Sequence, residues 1–198
     1  WWKRYRERAA RITPVIVTNR MIVGFAHNGQ NTEVAGKLTQ WFTQQPYTHC
    51  ELFIEPNGVA VSAQPKTGVQ IKPAKEALKN YNHWAFWHVP TANPDAFNAW
   101  ILAQIGKTYD YADIARMFSA VSFRLTDSWF CSELCYVAVR DYSIVHIRRV
   151  APEVVHPGVL LRLLKEAGAT PIDAYSSLIT AWKPKRLYWF LPLQSPWV

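Results

Sequence analysis

The first half of the chain alternates short apolar runs with turn residues, a pattern that is typical of β-strands. The dipeptide Asn57-Gly58 stands between two of these runs and is a strong signal for a tight hairpin. Because hairpins reverse the direction of the chain, we expect an antiparallel sheet of four or five strands. The predicted strands are residues 15–25, 48–54, 58–64, 68–73 and 84–90.

Apolar residues recur at helical spacing in one segment of the first half and in much of the second half. Asn93-Pro94 predicts a helix start, because asparagine caps helices and proline fits their first position, and Gly106 predicts its end. Another helix is predicted to run from a cap at Asp127 or Ser128 to Arg140. Strands followed by helices indicate an α+β domain. The other predicted elements are helices at 31–45, 111–118 and 159–168, and a final strand or extended arm at 186–198.

Composition limits the size and class of the protein. The chain of 198 residues can bury one sizeable core, and its 49% apolar content is that of a globular protein. Its apolar runs are too short and too charged to cross a membrane, and its first residues lack the apolar core of a secretory signal. We therefore expect a single domain over residues 14–198, with a C-terminal extension from about residue 143.

The basic charge is concentrated at the start of the chain. Residues 1–11 carry five basic side chains and one acidic side chain, which is +4 of the total of +8. Residues 1–13 are therefore interpreted as a basic, Trp-rich arm that could bind a partner protein, an acidic polymer or a lipid surface, although a solvated first helix explains the same charge. The remaining chain is only mildly basic and has no nucleic-acid-binding motif, so we do not expect nucleic acid as a partner.

The three cysteines are too few for a disulfide framework and indicate a reducing environment or one reactive thiol. Cys131 falls at the first turn of a predicted helix, where free N–H groups and the helix dipole favour ionisation of the thiol. Cys135 lies one turn later among apolar residues and is predicted to pack in the core. A metal site would need a fourth ligand besides these two and His49, and Cys50 points away from His49 on its strand. We therefore expect no metal and no cofactor.

A thiolate nucleophile needs an imidazole beside it, and His49 is the best placed of the six histidines. His49 and Glu51 share one face of a predicted strand, so a sheet that packs this face on the helix of Cys131 would bring base and nucleophile together. Glu51 is one candidate for orienting the imidazole, and Ser62 and Gln64 on the neighbouring strand are alternatives. The other histidines are the reserve base His88, in another predicted strand, and four predicted loop residues, His27, His83, His146 and His156.

Three segments, taken in order, resemble a known family. They read YTHCELFIEPNGVAVSAQPKTGVQIKP (47–73), GKTYDYADIARMF (106–118) and WFCSELCYVAV (129–139). The Thr-His strand, the Gly-x-x-Tyr-Asp segment and the Cys-Ser-Glu helix start resemble the permuted NlpC/P60-type papain-like cysteine peptidases and amidases, in which the histidine strand precedes the cysteine helix. The His-x-Glu and Ser-Ala-x-Pro runs resemble the phage and prophage members of that family.

The resemblance implies a circularly permuted papain-like fold, in which an antiparallel sheet packs against a nucleophile-bearing helix. Cys131 would then be the nucleophile, His49 the base, and Glu51 or Ser62 the orienting group. Two tyrosines, Tyr109 and Tyr111, would line the substrate cleft. The implied reaction is hydrolysis of an amide bond in a bacterial cell-wall peptide, and it uses no cofactor.

The resemblance also implies a place in a virus particle. We expect a component of a phage tail or virion, which would be found in the host cytoplasm before assembly, with the N- and C-terminal arms docked on other virion proteins. Two alternatives stay open at this point. One is a structural or adaptor subunit of a phage particle that has lost catalysis, and the other is a lipid acyltransferase or thioesterase.

Overall fold

A computed structural model describes residues 20–27, 46–55, 58–81, 83–110, 128–176 and 178. Within these ranges the chain forms an α+β structure with a six-stranded antiparallel sheet and four α-helices. The expected α+β class is therefore confirmed, and the sheet has more strands than expected. Four predicted features lie outside the described residues, namely the N-terminal arm, the helices at 31–45 and 111–118, and the tail at 186–198.

The elements are numbered in chain order. The large sheet contains β1 (Arg20–His27), β2 (Tyr47–Glu55), β3 (Val59–Gln64), β4 (Gly68–Pro73), β5 (His83–Pro90) and β8 (Thr170–Ile172), in the order β4-β3-β2-β1-β5-β8. A separate parallel pair consists of β6 (Thr108–Tyr109) and β7 (Ser128–Trp129). The helices are α1 (Ala74–Lys79), α2 (Pro94–Gln104), α3 (Cys131–Tyr142) and α4 (Pro157–Glu166), and a 3-10 turn covers Pro152–Val154.

The large sheet is covered on both faces because its strands carry apolar residues on both sides. In β1, Val23 and Phe25 belong to the larger core, together with residues of α2, α3 and α4. Ile22, which points the other way, belongs to a smaller core with Phe53 and Leu78, the latter from α1. Burial on both sides explains why β1 reads as a nearly continuous apolar run rather than as a strict alternation.

The strand predictions agree well with the structure. The predicted strands at 48–54, 58–64, 68–73 and 84–90 match β2 to β5 within one residue at each end, and β1 begins at Arg20, where the description of the chain starts. The hairpin between β2 and β3 is confirmed, with Gly58 at a φ of 61° and its N–H donating to the carbonyl of Ile54 at 3.1 Å. A left-handed backbone of this kind favours glycine. The loop placement of His27 and His83 is wrong, since both lie in strands and pair across β1 and β5.

The predicted starts of two helices follow from their first residues. The side chain of Asn93 accepts a hydrogen bond from the N–H of Ala96 at 3.0 Å, which confirms it as the cap of α2. Helix α2 ends at Gln104, and Gly106 follows with a φ of 87°. Helix α4 begins at Pro157, two residues earlier than predicted, because proline occupies its first position.

The segment after residue 143 belongs to the same core as the sheet. The leucines of α4 are buried in the larger core, and β8 extends the sheet by pairing with Phe86–His88 of β5. Strand β8 was not predicted, because three residues that include Pro171 give no alternating pattern. The C-terminal extension therefore contributes the edge strand of the sheet.

Candidate active site

Helix α3 begins at Cys131, which places this thiol among the free N–H groups of the first turn. Phe130 precedes it as the N-cap, in an extended conformation, and the backbone N–H of Phe130 donates to the carboxylate of Glu133 at 3.4 Å. The predicted position of Cys131 in the first helical turn is confirmed. The helix dipole at this position favours a negatively charged sulfur.

The predicted capping role of Ser128 is wrong. Ser128 lies in β7, where it pairs with Thr108 of β6, and its hydroxyl donates to the carboxylate of Asp110 at 2.9 Å. The hydroxyl is therefore used to hold β6 and β7 together rather than to cap the helix. The other cap candidate, Asp127, lies outside the described residues.

Helix α3 packs on the opposite face of β2 from the one expected. Cys50, Leu52 and Ile54 belong to the larger core, together with the apolar side chains of α3. Phe53, which shares the face of His49, belongs to the smaller core on the other side of the sheet. The expectation that the His49 face packs directly on the helix of Cys131 is therefore wrong.

His49 and Cys131 interact nevertheless, and His49 lies where the pairing of β2 with β3 has ended. The ladder between these strands ends at the Leu52–Val61 pair, although both strands continue beyond it. Strand β3 stays paired with β4 and β2 stays paired with β1, so the sheet opens only between β2 and β3. His49 lies on the open part of β2, close enough to Cys131 for the imidazole and the thiol to interact electrostatically.

Glu51 lies at the centre of a polar cluster on the His49 face. Its Oε1 atom lies 3.0 Å from Nε2 of His49, and it accepts hydrogen bonds from Gln64 at 3.0 Å and from Nζ of Lys72 at 2.8 Å. The side chain of Glu51 is fully buried and that of Lys72 is 11% exposed. The carboxylate charge is therefore compensated by cations rather than by water.

The three candidates for orienting the imidazole take different places. Glu51 and Gln64 both approach Nε2 of His49, Gln64 at 3.1 Å. Ser62 is one step removed, since its hydroxyl accepts a hydrogen bond from Gln64 at 3.2 Å. Because Nε2 faces Glu51, Nδ1 is the ring nitrogen that remains for Cys131.

Burial and charge together set the protonation of the site. Burial disfavours a charged His49, but Cys131 and Glu51 outweigh it and raise the pKa of His49 from 6.5 to about 9. Burial also disfavours a Cys131 thiolate, but hydrogen bonds from Cys50 and the adjacent imidazolium hold the pKa of Cys131 well below its usual 9.0. Burial opposes ionisation of Glu51, yet His49 and Lys72 lower its pKa. At neutral pH the site therefore contains a Cys131 thiolate, a His49 imidazolium and a Glu51 carboxylate, and Lys72 contacts that carboxylate.

Two residues of this site were missed by the sequence predictions. Lys72 lies opposite Ala60 in the β3–β4 ladder, so the strand register could have placed it on the face of Glu51. The ring of Tyr81 stacks on that of His49, with centroids 5.2 Å apart and planes inclined by 14°. Tyr81 lies between α1 and β5, and no local pattern indicates this position, because tertiary packing alone brings it there.

The remaining predicted site residues do not contact His49, or they lie outside the residues that the structure describes. Tyr109 of β6 packs against the ring of Phe130 at 5.6 Å, so it lies beside the start of α3. Tyr111 lies outside the described residues. His88, the reserve base, lies in β5, which β1 separates from β2. The structure therefore brings His49, and not His88, to the thiol.

The site is closed to solvent in this structure. Cys131 is 1% exposed and His49 is 7% exposed. Exclusion of water strengthens the attraction between the thiolate and the imidazolium, because the effective dielectric constant is low. A substrate therefore reaches the sulfur only after the residues around it move.

No family model matches the chain, and a search of curated proteins finds no match. Within the described ranges, no helix is long and apolar enough to cross a membrane. In the same part of the chain, no group of three or more histidine, cysteine, aspartate or glutamate side chains is arranged to bind a metal ion.

Proposed function

We propose that this protein is a cysteine hydrolase with a circularly permuted papain-like fold. The observation that carries the proposal is the contact of Cys131, at the start of α3, with His49, which Glu51 contacts from the other side. An ionised thiol beside an imidazolium is the reactive form of a cysteine nucleophile, and a buried carboxylate that orients the ring completes such a triad. The histidine strand precedes the cysteine helix in the chain, which supports the permuted order.

The proposed reaction is acyl transfer in two steps. The sulfur of Cys131 attacks the carbonyl carbon of an amide, and the backbone N–H of Cys131 donates to the oxyanion that forms. His49 gives the proton on Nδ1 to the leaving amine, the C–N bond breaks, and a thioester remains. Neutral His49 then takes a proton from water, whose oxygen attacks the thioester and releases the acid and the thiolate.

The other residues of the site act on the imidazole rather than on the substrate. Glu51 holds Nε2, so that Nδ1 points to the sulfur, and Lys72 keeps Glu51 ionised. The stacked ring of Tyr81 limits rotation of the imidazole about its side-chain bonds. These are positioning roles: the carboxylate of Glu51 and the amide of Gln64 contact the ring, and Lys72 contacts the carboxylate.

The proposed substrate is an amide bond in a bacterial cell-wall peptide, and the proposed setting is a phage tail or another part of a virion. Support comes from the order of the Thr-His, Gly-x-x-Tyr-Asp and Cys-Ser-Glu segments, which resembles the family, and from the His-x-Glu and Ser-Ala-x-Pro runs, which resemble its phage members. In this setting the two chain ends would bind other virion proteins, and the +4 charge of residues 1–11 suits an acidic partner surface. The host cytoplasm would hold the protein before assembly.

The test compares two cysteines on one helix. Purified wild type is expected to release soluble peptides from isolated peptidoglycan, and Cys131→Ala is expected to release none. Cys135→Ala, one helical turn away, is the matched control and should retain activity. Equal release by wild type and Cys131→Ala contradicts the proposal. Turnover of a p-nitrophenyl ester or a phospholipid, without any release from peptidoglycan, would move the substrate class to lipids.

Alkylation gives a readout that is independent of the substrate. Because the Cys131 thiol is ionised at neutral pH, iodoacetamide should modify Cys131 faster than free cysteine at pH 7. His49→Ala should slow this reaction by about tenfold or more, because the imidazolium no longer stabilises the thiolate. Labelling of Cys131 that is no faster than that of free cysteine contradicts an activated nucleophile.

One observation favours a second candidate function. Cys131 is 1% exposed, as expected for a papain-like protein that has lost its open cleft. Such a protein would be a structural or adaptor subunit of the virion. It would bind other virion proteins through its ends, release nothing from peptidoglycan and label slowly with iodoacetamide, so the same two assays separate the candidates.

A further inference from the structure

All three cysteines of the chain meet at the candidate active site, although hydrolysis needs only one of them. Cys50 projects from β2, and Cys131 and Cys135 project from α3. All three are free thiols, and none is more than 1% exposed. Cys50 lies on the face of β2 that packs on α3, where its thiol interacts with those of both Cys131 and Cys135. The hydrolytic mechanism leaves Cys50 and Cys135 without a role.

Cys50 lies on the face of β2 that packs on α3, the helix that carries Cys131. Both residues are buried in the same core, and the thiol and the backbone of Cys50 both interact with the sulfur of Cys131. The Cys50 sulfur therefore lies beside the nucleophile, on the strand that also carries His49. We propose that Cys50 is the resolving thiol of Cys131, so that a peroxide converts the pair into a reversible disulfide that blocks the nucleophile. The proposal rests on the ionised thiol of the proposed function, but not on its substrate.

The chemistry balances with hydrogen peroxide as the only oxidant. The Cys131 thiolate attacks one peroxide oxygen, the O–O bond breaks and hydroxide leaves, so the sulfur becomes a sulfenic acid. The sulfur of Cys50 then attacks the sulfenic sulfur, an S–S bond forms, and the hydroxyl leaves with the Cys50 proton as water. Two thiols and one peroxide thus give one disulfide and two waters. A thiol reductant reverses the change by thiol–disulfide exchange.

The geometry of the helix excludes a disulfide between Cys131 and Cys135. Residues four apart on a helix keep their Cβ atoms about 5–6 Å apart, and both Cβ atoms tilt in the same direction. A disulfide needs Cβ atoms about 3.5–4.5 Å apart, so this bond would require unwinding of the first turn of α3. Cys50 faces the helix from another element and is free of this restriction.

Reactivity decides which thiol begins the reaction. Burial raises the pKa of Cys50 and that of Cys135, so both stay protonated at neutral pH. Cys131 alone is ionised and alone attacks a peroxide. Without a resolving thiol, its sulfenic acid would react again to give sulfinic acid, which thiol reductants do not reverse. Cys50 therefore protects the nucleophile as well as switching it off.

The experiment uses the full chain and hydrogen peroxide. Treated wild type is digested without reduction, and mass spectrometry is expected to find the tryptic peptide of Cys50 joined to the peptide 125–140 at Cys131. Rapid alkylation of Cys131 by iodoacetamide should disappear on oxidation and return in full with dithiothreitol. Cys50→Ala should instead accumulate sulfinic acid at Cys131 and recover about tenfold less alkylation than wild type. Cys135→Ala is the matched control and should behave as wild type.

Several results would overturn the proposal. They are a disulfide that joins Cys131 to Cys135, full recovery of Cys50→Ala after oxidation, and wild type that forms no disulfide under conditions that oxidise Cys131. The wild-type peptide map decides the matter even where Cys50→Ala does not fold, and Cys50→Ser provides a second variant. If the Cys50–Cys131 disulfide forms but peptidoglycan stays intact, only the proposed hydrolase function fails. If untreated Cys131 does not react with iodoacetamide, both proposals fail.

Discussion

The Nε2 atom of His49 lies 3.0 Å from Oε1 of Glu51, two positions further along the same strand. Residues i and i+2 of a strand share a face, so this contact follows from the backbone period alone. Both side chains are buried, and Lys72 contacts the same carboxylate oxygen from β4. The base and its orienting group therefore belong to one rigid element, and any movement that opens the site carries them together.

Glu51→Gln tests the charge of this carboxylate. The amide keeps the size of the side chain but no longer compensates the charges of Lys72 and His49. Breaking a buried pair from one side costs about 3–5 kcal/mol, and we expect the free energy of unfolding in urea to fall by about 3 kcal/mol. The pKa of His49 should fall and that of Cys131 should rise, so alkylation of Cys131 at pH 7 should slow.

The matched controls for this change are Lys72→Met and the double variant. Lys72→Met alone leaves Glu51 with less compensation and should also destabilise the protein. The double variant removes both charged groups, so neither Glu51 nor Lys72 leaves a partner without compensation. Its loss in unfolding free energy should therefore be about 1–3 kcal/mol smaller than the sum of the two single losses. Additive losses would show that the 2.8 Å contact between Nζ and Oε1 contributes no coupling.

The ion pair of Cys131 and His49 gives stability a definite pH dependence. The folded pKa of His49 is raised from 6.5 to about 9, so its contribution is complete below pH 6.5 and is lost as the pH rises through about 9. The folded pKa of Cys131 is lowered from 9.0, so its contribution is complete above pH 9.0 and is lost as the pH falls through the folded value. Between pH 6.5 and 9.0 the two changes cancel, because the folded and unfolded pairs each bind one proton.

Below pH 6.5 the cancellation ends, since the unfolded chain then protonates both groups while the folded pair still binds one proton. The stability difference between wild type and His49→Gln should therefore stay level from pH 9.0 to 6.5 and then shrink by about 1.4 kcal/mol per pH unit. Urea unfolding at half-unit pH intervals measures this. A difference that changes steadily between pH 6.5 and 9.0 would show that the folded pair does not bind one proton over this range.

The sheet was predictable from sequence where strands alternate or end in turn residues. Asn57-Gly58 predicted the β2–β3 hairpin, and Asn93 predicted the start of α2, because in both cases a local backbone requirement selects the residue. Strand β8 has no such signal, since its place is set by pairing with β5. The cap of α3 was misassigned because the hydroxyl of Ser128 bonds to Asp110, a contact that no local rule indicates.

The site shows the same division between local and tertiary information. The period of a strand placed His49 and Glu51 on one face, and helix periodicity placed Cys131 at a first turn. The face that packs on α3 was mispredicted because β2 carries buried apolar residues on both faces, so the pattern within the strand does not select one of them. Tyr81 was missed because it lies 32 positions after His49 in the chain, and only tertiary packing stacks the two rings.

Tyr136→Phe tests how the C-terminal extension is attached to α3. The hydroxyl of Tyr136 accepts from the N–H of Val150 at 2.8 Å and donates to the carbonyl of Val150 at 3.0 Å. The ring is fully buried, so removal of the oxygen leaves two backbone groups without this partner and should cost about 1–3 kcal/mol. Hydrogen exchange should increase at residues 144–150 before it increases in the sheet. Ser132→Ala, which removes the bond to Val155, is the control and should act further along the segment.

Gly68→Ala and Gly168→Ala test the approach of β4 to the turn before β6. Both glycines have a left-handed backbone, with φ of 69° and 74°. A Cβ on Gly68 would lie 2.1 Å from the carbonyl oxygen of Lys107, which also accepts from the N–H of Val69 at 2.8 Å, whereas a Cβ on Gly168 would meet nothing within 4 Å. Gly168→Ala should therefore cost only the left-handed strain, about 1–2 kcal/mol.

Gly68→Ala adds a clash with backbone that a side-chain rotation cannot relieve, so its cost in urea unfolding should exceed that of Gly168→Ala by about 2 kcal/mol or more. The turn at Lys107 leads into β6, and Tyr109 of β6 packs on Phe130, the cap of the helix that carries Cys131. Gly68→Ala should therefore also change the alkylation rate of Cys131, and Gly168→Ala should leave it unchanged. Equal costs for the two variants would show that β4 is not held against this turn.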